Sequence, residues 1–299
     1  MGNFISYKDA PVFANFENEN RSVGTSSSAS LLAASQVSVN LTPNLSANRY
    51  LGKVQTKNDF SVSGPLEAKI SITFFPMIET WGQSDLNISR ANQLAFFNLT
   101  GNFQAGHAIQ IGNYFFYNSY LQNYSMKINP FQPVVITANF IAYDLDSVSN
   151  TEFVGFSQYL PIQKDITKPV YKALHGLTTN MLDPGNFLPT TKTNIDINVD
   201  VGRTPVYALG SKKPSTVILN TVERTTTIDG EGINKAVTLS GQNAGSTNIY
   251  FQPLDNPQPP SQNAYMLAFD INGRIISQDL SISQGNMSNG KVVIKEIFL

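Results

Sequence analysis

The residues able to do chemistry in this 299-residue chain are few: two histidines, no cysteine, and three candidate pairs of carboxylates in strand-like sequence. A zinc site draws its ligands from several His, Cys or carboxylate groups. A catalytic histidine needs a nucleophile and an orienting carboxylate beside it. His107, in Ala105-Gly106-His107-Ala108-Ile109, has no acidic residue or second histidine two to four positions on, and His175 is the only other one. Neither H-E-x-x-H nor G-x-S-x-G occurs, so the metalloprotease and nucleophile-elbow patterns are missing. Both histidines read as structural or surface residues.

The carboxylate pairs are Asp144 with Asp146, Asp196 with Asp200, and Asp229 with Glu231. Two carboxylates flanking a bond can hydrolyse a glycoside. Members two or four apart in a strand fall on the same side of a sheet, which a solvated or lumen-facing strand produces equally well. Asp229-Gly230-Glu231-Gly232 has the composition of a calcium loop without its D-x-[DN]-x-[DN]-G spacing, and reads as a turn. Neither phosphate-cradling glycine pattern is present. The expectation is a non-enzymatic chain with no catalytic, cofactor-binding or metal-ligating residue. Tyr114-Phe115-Phe116-Tyr117, with Tyr120 and Tyr124 beyond, forms the densest aromatic cluster. It suits a carbohydrate-stacking platform, or a buried strand pair or subunit interface.

The elements that would hold these residues are strands. Val37, Val39 and Leu41 alternate with polar residues, as do Ile70, Ile72 and Phe74. Residues 134–142, 194–201 and 291–298 look alike. Ser63-Gly64-Pro65, Ile111-Gly112-Asn113, Asn129-Pro130, Asn272-Gly273 and Asn289-Gly290 punctuate them as turns, the last two with the strongest hairpin signal. Helical spacing is sparse and predicts one short helix over residues 84–97 and a second over 168–182, broken at Gly176.

Charged residues make up 14% of the chain and the net charge is −1. An average soluble protein has roughly 25% charged residues. Uncharged polar side chains bond across a protein contact without the cost of burying ions, so the surface suits being covered by neighbours. With no basic run, non-specific nucleic-acid binding is not expected. The start, MGNFISYKDA, holds no apolar stretch of signal-peptide length and reads as a free arm, although Met1 to Ser6 fits the myristoylation pattern. No 18 apolar residues run together, so no membrane partner is expected.

Shifted by 158 residues, which places Leu51 on Leu209, the chain matches itself. Val37, Val39 and Leu41 fall on Ile195, Ile197 and Val199; Ile70 falls on Ile228; Val134-Val135-Ile136 falls on Val292-Val293-Ile294. One shift serving both ends predicts a tandem duplication. The expected organisation is an N-terminal arm (1–29), a first β-domain (30–145), a proline-bearing connector (146–189) and a second β-domain (190–299). The fold class expected is all-β: two tandem antiparallel sandwich or partly closed barrel domains with one or two short helices.

Asn48-Arg49-Tyr50-Leu51-Gly52-Lys53 with Asp59 to Ser71, and Gly202-Arg203-Thr204-Pro205-Val206-Tyr207-Ala208-Leu209-Gly210 with Ser211 to Pro214, resemble virion proteins of tailed bacteriophages. The similarity is above all to tail tube and tube-like proteins of contractile-tailed phages. It implies a sandwich with a long hairpin, repeated around a hexameric ring, whose hairpins join into an inner barrel through which DNA passes without sequence-specific binding. Stacked rings would form the tube. The implied partners are further copies of the chain, then sheath, baseplate and terminator proteins, in a virion tail made in the bacterial host cytoplasm. Two tube-like halves would also allow three chains to build a pseudo-hexameric ring. The implied inter-subunit hairpins span Ser61 to Phe74, with Gly64, Pro65, Ile70 and Ile72, and Val217 to Ile228, with Glu223 and Arg224. They would turn near Gly64-Pro65 and Glu223-Arg224. A baseplate hub, neck, capsid or decoration protein is the alternative, and a carbohydrate-binding module a second one.

Overall fold

Period-two alternation is what a half-buried antiparallel strand requires, and the computed structural model follows it. Ile195, Ile197 and Val199 are buried, while Asn194, Asp196, Asn198 and Asp200 between them are exposed. The structure describes residues 12–15, 30–47, 60–81, 85–86, 106–112, 114–130, 132–147, 170–180, 188–189, 191–233, 235–238, 241–244, 247–253, 267–282 and 289–298. These form β1 (Val12–Asn15), β2 (Ser30–Ala47), β3 (Phe60–Phe75), β4 (Met77–Trp81), β5 (Asp85–Leu86), β6 (His107–Ile111), β7 (Tyr114–Ile128) and β8 (Val135–Ser147). After them come β9 (Val170–Asn180), β10 (Thr191–Tyr207), β11 (Pro214–Glu231), β12 (Gln242–Asn243), β13 (Thr247–Pro253), β14 (Leu267–Ile271), β15 (Arg274–Ser281) and β16 (Asn289–Ile297). The fold is all-β, with no helix among the described residues.

Eleven strands make one antiparallel sheet in the order β12-β15-β16-β11-β10-β7-β6-β1-β2-β3-β8. β8 also pairs back to β7, so β7, β6, β1, β2, β3 and β8 run in a circuit of pairings. The sheet as a whole stays open at β12. The second sheet is β14-β13-β9-β4-β5. Within the large sheet the halves share a strand order: β2-β3-β8-β7 in the first, β10-β11-β16-β15 in the second. They meet where β10 pairs with β7. One apolar cluster runs through both, from Ile70, Ile72 and Phe140 to Ile197, Ile228 and Val292.

Several expectations change. Val170–Asn180, expected as a helix, is strand β9, held between β4 and β13. Its Val, Tyr and Thr residues favour a pleated surface, and two waiting strands outweigh a weak helical spacing. In the other expected helix, Asp85–Leu86 is a strand and residues 87–97 lie outside the described residues. Ser63-Gly64-Pro65 is not a turn but part of β3, and Glu223-Arg224 sits mid-strand in β11. Asn272-Gly273 joins no hairpin: β14 and β15 belong to different sheets, and the pair is the corner between them, with Gly273 at φ 133°. Asn289-Gly290 opens β16 rather than turning before it. A Cβ on Gly290 would stand 2.3 Å from Ile233 Cδ1, so close packing demands the glycine.

Candidate functional site: a projecting hairpin and two sheet edges

The β10–β11 hairpin overruns its sheet. β10 pairs with β7 over Ile195–Asp200 and β11 with β16 over Glu223–Glu231. Farther out the two strands pair with each other as far as Tyr207↔Pro214, an arm roughly 20 Å long. A register shift between Gly202 and Arg203 marks its base, and a bulge there twists and re-aims a strand pair. A Cβ on Gly202 would stand 2.5 Å from Thr221 Oγ1. At the tip, the Ser211 N–H donates to the Ala208 carbonyl at 3.0 Å, and Gly210 takes the positive φ (80°) that such a turn needs.

The inner side of the arm lies over β3, β7 and β8 and is held by polar contacts. Arg203 Nε donates to the Leu121 carbonyl at 3.1 Å, and its guanidinium sits 5.1 Å from the Tyr120 ring centroid. Tyr120 in turn meets Tyr143 at 6.1 Å. Lys213 Nζ lies 2.7 Å from Asp144, and the Glu67 carboxylate acts on the Tyr207 hydroxyl, adding to burial in raising its pKa. On the outer side Val206 and Ile218 face solvent, and Leu209 at the tip is fully exposed. Leu219, in register with Arg203, packs against the core on the inner side, while the outer side mixes Val206 and Ile218 with exposed Thr204, Thr216 and Asn220.

Burial pushes the Tyr143 hydroxyl up to about 12, with Glu67, Tyr207 and Tyr120 adding to the rise and Arg203 opposing it. Burial and then Glu67 raise Tyr207 as well, and burial lowers Arg203. An unfolded tyrosine ionises near 10. Between pH 10 and 12 the unfolded chain therefore binds fewer protons than the folded one, and stability falls as pH rises. The contribution is whole below pH 10. The urea midpoint is expected to drop over that window, and to drop less in the Tyr143→Phe, Tyr207→Phe double variant.

The first half has a matching overrun. β3 pairs with β8 over Ala68–Phe74, yet β2 and β3 continue together to Ala47↔Phe60. Ser61, Gly64 and Pro65 lie on that extension. Ile70, Ile72 and Ile228 are core residues of their own chain, at most 1% exposed, and their side chains cannot reach another copy. Val217 is on the second arm, half-buried. Glu223 pairs with Lys295 at 2.8 Å, and Arg224 is buried beside Glu296. The apolar residues that do face solvent at the far edge of the sheet are Ile276, Leu280 and Ile282 on and just after β15. Sequence reading missed them, although Leu280 and Ile282 alternate with serines.

The chemical candidates do not converge. Asp144 is engaged with Lys213. Asp196 and Asp200 stand in register opposite Lys127 and Asn123, and Asp229 and Glu231 opposite Lys291 and Asn289. His107 meets the Phe140 ring edge-on at 5.9 Å, while His175 belongs to the other sheet. Among the described residues no three His, Asp or Glu gather. Phe115, Phe116, Tyr117 and Tyr124 are buried within the strands, leaving Tyr114 alone of that run well exposed.

Compared with known proteins, the chain matches no family model and no curated sequence. The functional reading rests on the exposed arm and the sheet edges.

Proposed function

We propose that the chain is a non-enzymatic structural subunit that joins copies of itself into rings, and that the rings stack as a phage-type tail tube through which DNA passes. The observation that carries this reading is the overrunning hairpin in each half, with apolar residues on the outer side of the second. A two-stranded ribbon is marginal alone in water, and Val206, Leu209 and Ile218, exposed along the arm, favour a partner there. The low charge fits a surface covered by neighbours, and the net charge of −1 fits a conduit that must not hold DNA. A hub, neck, capsid or decoration role in a virion would use the same surface. Burial of most of the Tyr114 to Tyr117 run weighs against a carbohydrate-stacking platform there. In negative-stain electron microscopy with light scattering on the same sample, rings or tubes with a central channel are expected. A uniform monomer at high concentration and moderate salt would sink the proposal.

A further inference from the structure

The large sheet contains one joint between halves, and that joint is informative about its own ends. It is made where β10 meets β7, antiparallel, with Ile195↔Ile128, Ile197↔Met126 and Val199↔Tyr124 opposite each other. All six residues are 2% exposed or less, so the core face runs across the joint without a break. β10 is the opening strand of the second half, the position β2 holds in the first. β7 holds in the first half the position that β15 holds in the second.

The sheet therefore ends in a β15 at one side and carries a β2 at the other that have no such joint. Among the described strands, β2 has β3 along one side, and on the other side β1 reaches only Ser30–Leu32. β15 has β16 along one side, and on the other β12 reaches only Arg274 and Ile275. The core-face residues of these two edges are exposed where their counterparts at the internal joint are buried. Val39 is 38% and Leu41 46% exposed, against 0% for Ile197 and Val199; on the other edge Leu280 is 43% and Ile282 80% exposed. Both edges are nearly free of charge: Ser35 to Leu41 has none, and Ile275 to Ile282 has Asp279 alone.

We infer that the β15 edge of one copy pairs antiparallel with the β2 edge of the next, repeating between chains the β7–β10 joint within the chain. The inference rests on the assembly reading above and names the surface that makes the assembly. On β2 the core-face positions are Val37, Val39 and Leu41, in register with the buried Ile72, Ile70 and Ala68; on β15 Gln278 and Leu280 stand opposite the buried Val292 and Gly290. Setting core face on core face through the most exposed residue of each edge places Leu41 opposite Ile282, and with it Thr42 opposite Ser281. The sheet's alternation makes this a real test, because a slip of one residue would set apolar against polar. Joining also satisfies backbone groups that an edge strand presents to any passing chain. The two surfaces differ, so the contact is head-to-tail, which closes into a ring or runs on as a filament.

The absence of native cysteine makes the test clean. Leu41→Cys and Ile282→Cys are made as separate full-length proteins, mixed, oxidised, and run on a denaturing gel without reductant. Thr42→Cys with Ser281→Cys is run in parallel, since neighbouring positions alternate between the two antiparallel pair types and one accepts a disulfide better than the other. The expected result is a band at twice the 32.8 kDa chain mass in the mixture of complementary variants and much less in either variant alone. A band as strong from Leu41→Cys alone would mean symmetric edge pairing and overturn the inference. Rings by microscopy with no cross-link from either pair would overturn it too, while leaving the assembly reading intact. Cross-linked dimers that never form rings or tubes would uphold this joint and remove the tube.

Discussion

Glu296→Ala is expected to lower the unfolding free energy by about 3–5 kcal/mol, the cost of removing one partner from a buried ion pair. Glu296 and Arg224 are register partners on β16 and β11. The Arg224 side chain is 4% exposed and that of Glu296 21%. The guanidinium is bonded to the Glu296 carboxylate and lies 5.2 Å from the Phe298 ring centroid. Without that carboxylate a full positive charge stays inside the sheet beside an aromatic ring. Replacing both residues with apolar ones, Arg224→Met and Glu296→Leu, is expected to recover most of the loss. Urea titration of the three proteins decides it: a loss under about 1 kcal/mol in Glu296→Ala would mean the guanidinium reaches water. For contrast, the Lys213–Asp144 pair has a lysine that is 55% exposed, and cutting it belongs in the range of about 0–1 kcal/mol.

Tyr124→Ala should cost a similar amount, about 3–5 kcal/mol, by emptying the volume of a large buried ring. Tyr124 is 1% exposed and stands opposite Val199 at the joint between the halves. Because the apolar cluster crosses that joint, the loss should be felt by the whole sheet. Circular dichroism at strand wavelengths and fluorescence of Trp81, the single tryptophan, in the second sheet, are expected to report one shared transition with a lower midpoint. Two separated transitions in the variant, with the first half unmoved, would show that the halves hold themselves up independently.

Much of the strand framework could be read from alternation alone, because burial of one face leaves a period-two mark: Ile70-Ile72-Phe74 and Ile195-Ile197-Val199 are cases. What alternation cannot reveal is which strands receive a second neighbour. Val37-Val39-Leu41 carries the same pattern as Ile195-Ile197-Val199, yet Val39 and Leu41 face solvent and Val37 is only half-buried, while the other set is sealed. Turn chemistry misled where a strand has a neighbour on one side only. Pro65 lacks an N–H to donate, but on the overrun of β3, beyond the reach of β8, that loss is tolerated. Glu223-Arg224 looked like a charged turn because its ion-pair partners, Lys295 and Glu296, come more than seventy residues later. The arm's polar contacts depend likewise on Tyr120, Tyr143 and Asp144, distant in the chain.

The circuit of pairings in the first half sets an order of events during synthesis. Its last member, β8, ends at Ser147, so this half has every strand it needs before β10 exists. Domains tend to fold as they emerge, the N-terminal one first. The growing chain then meets a finished edge on β7, Asn123 to Ile128, onto which β10 can zip. The second half is thus born beside a template, and each completed chain would offer its own last strands to the next arrival in the same way.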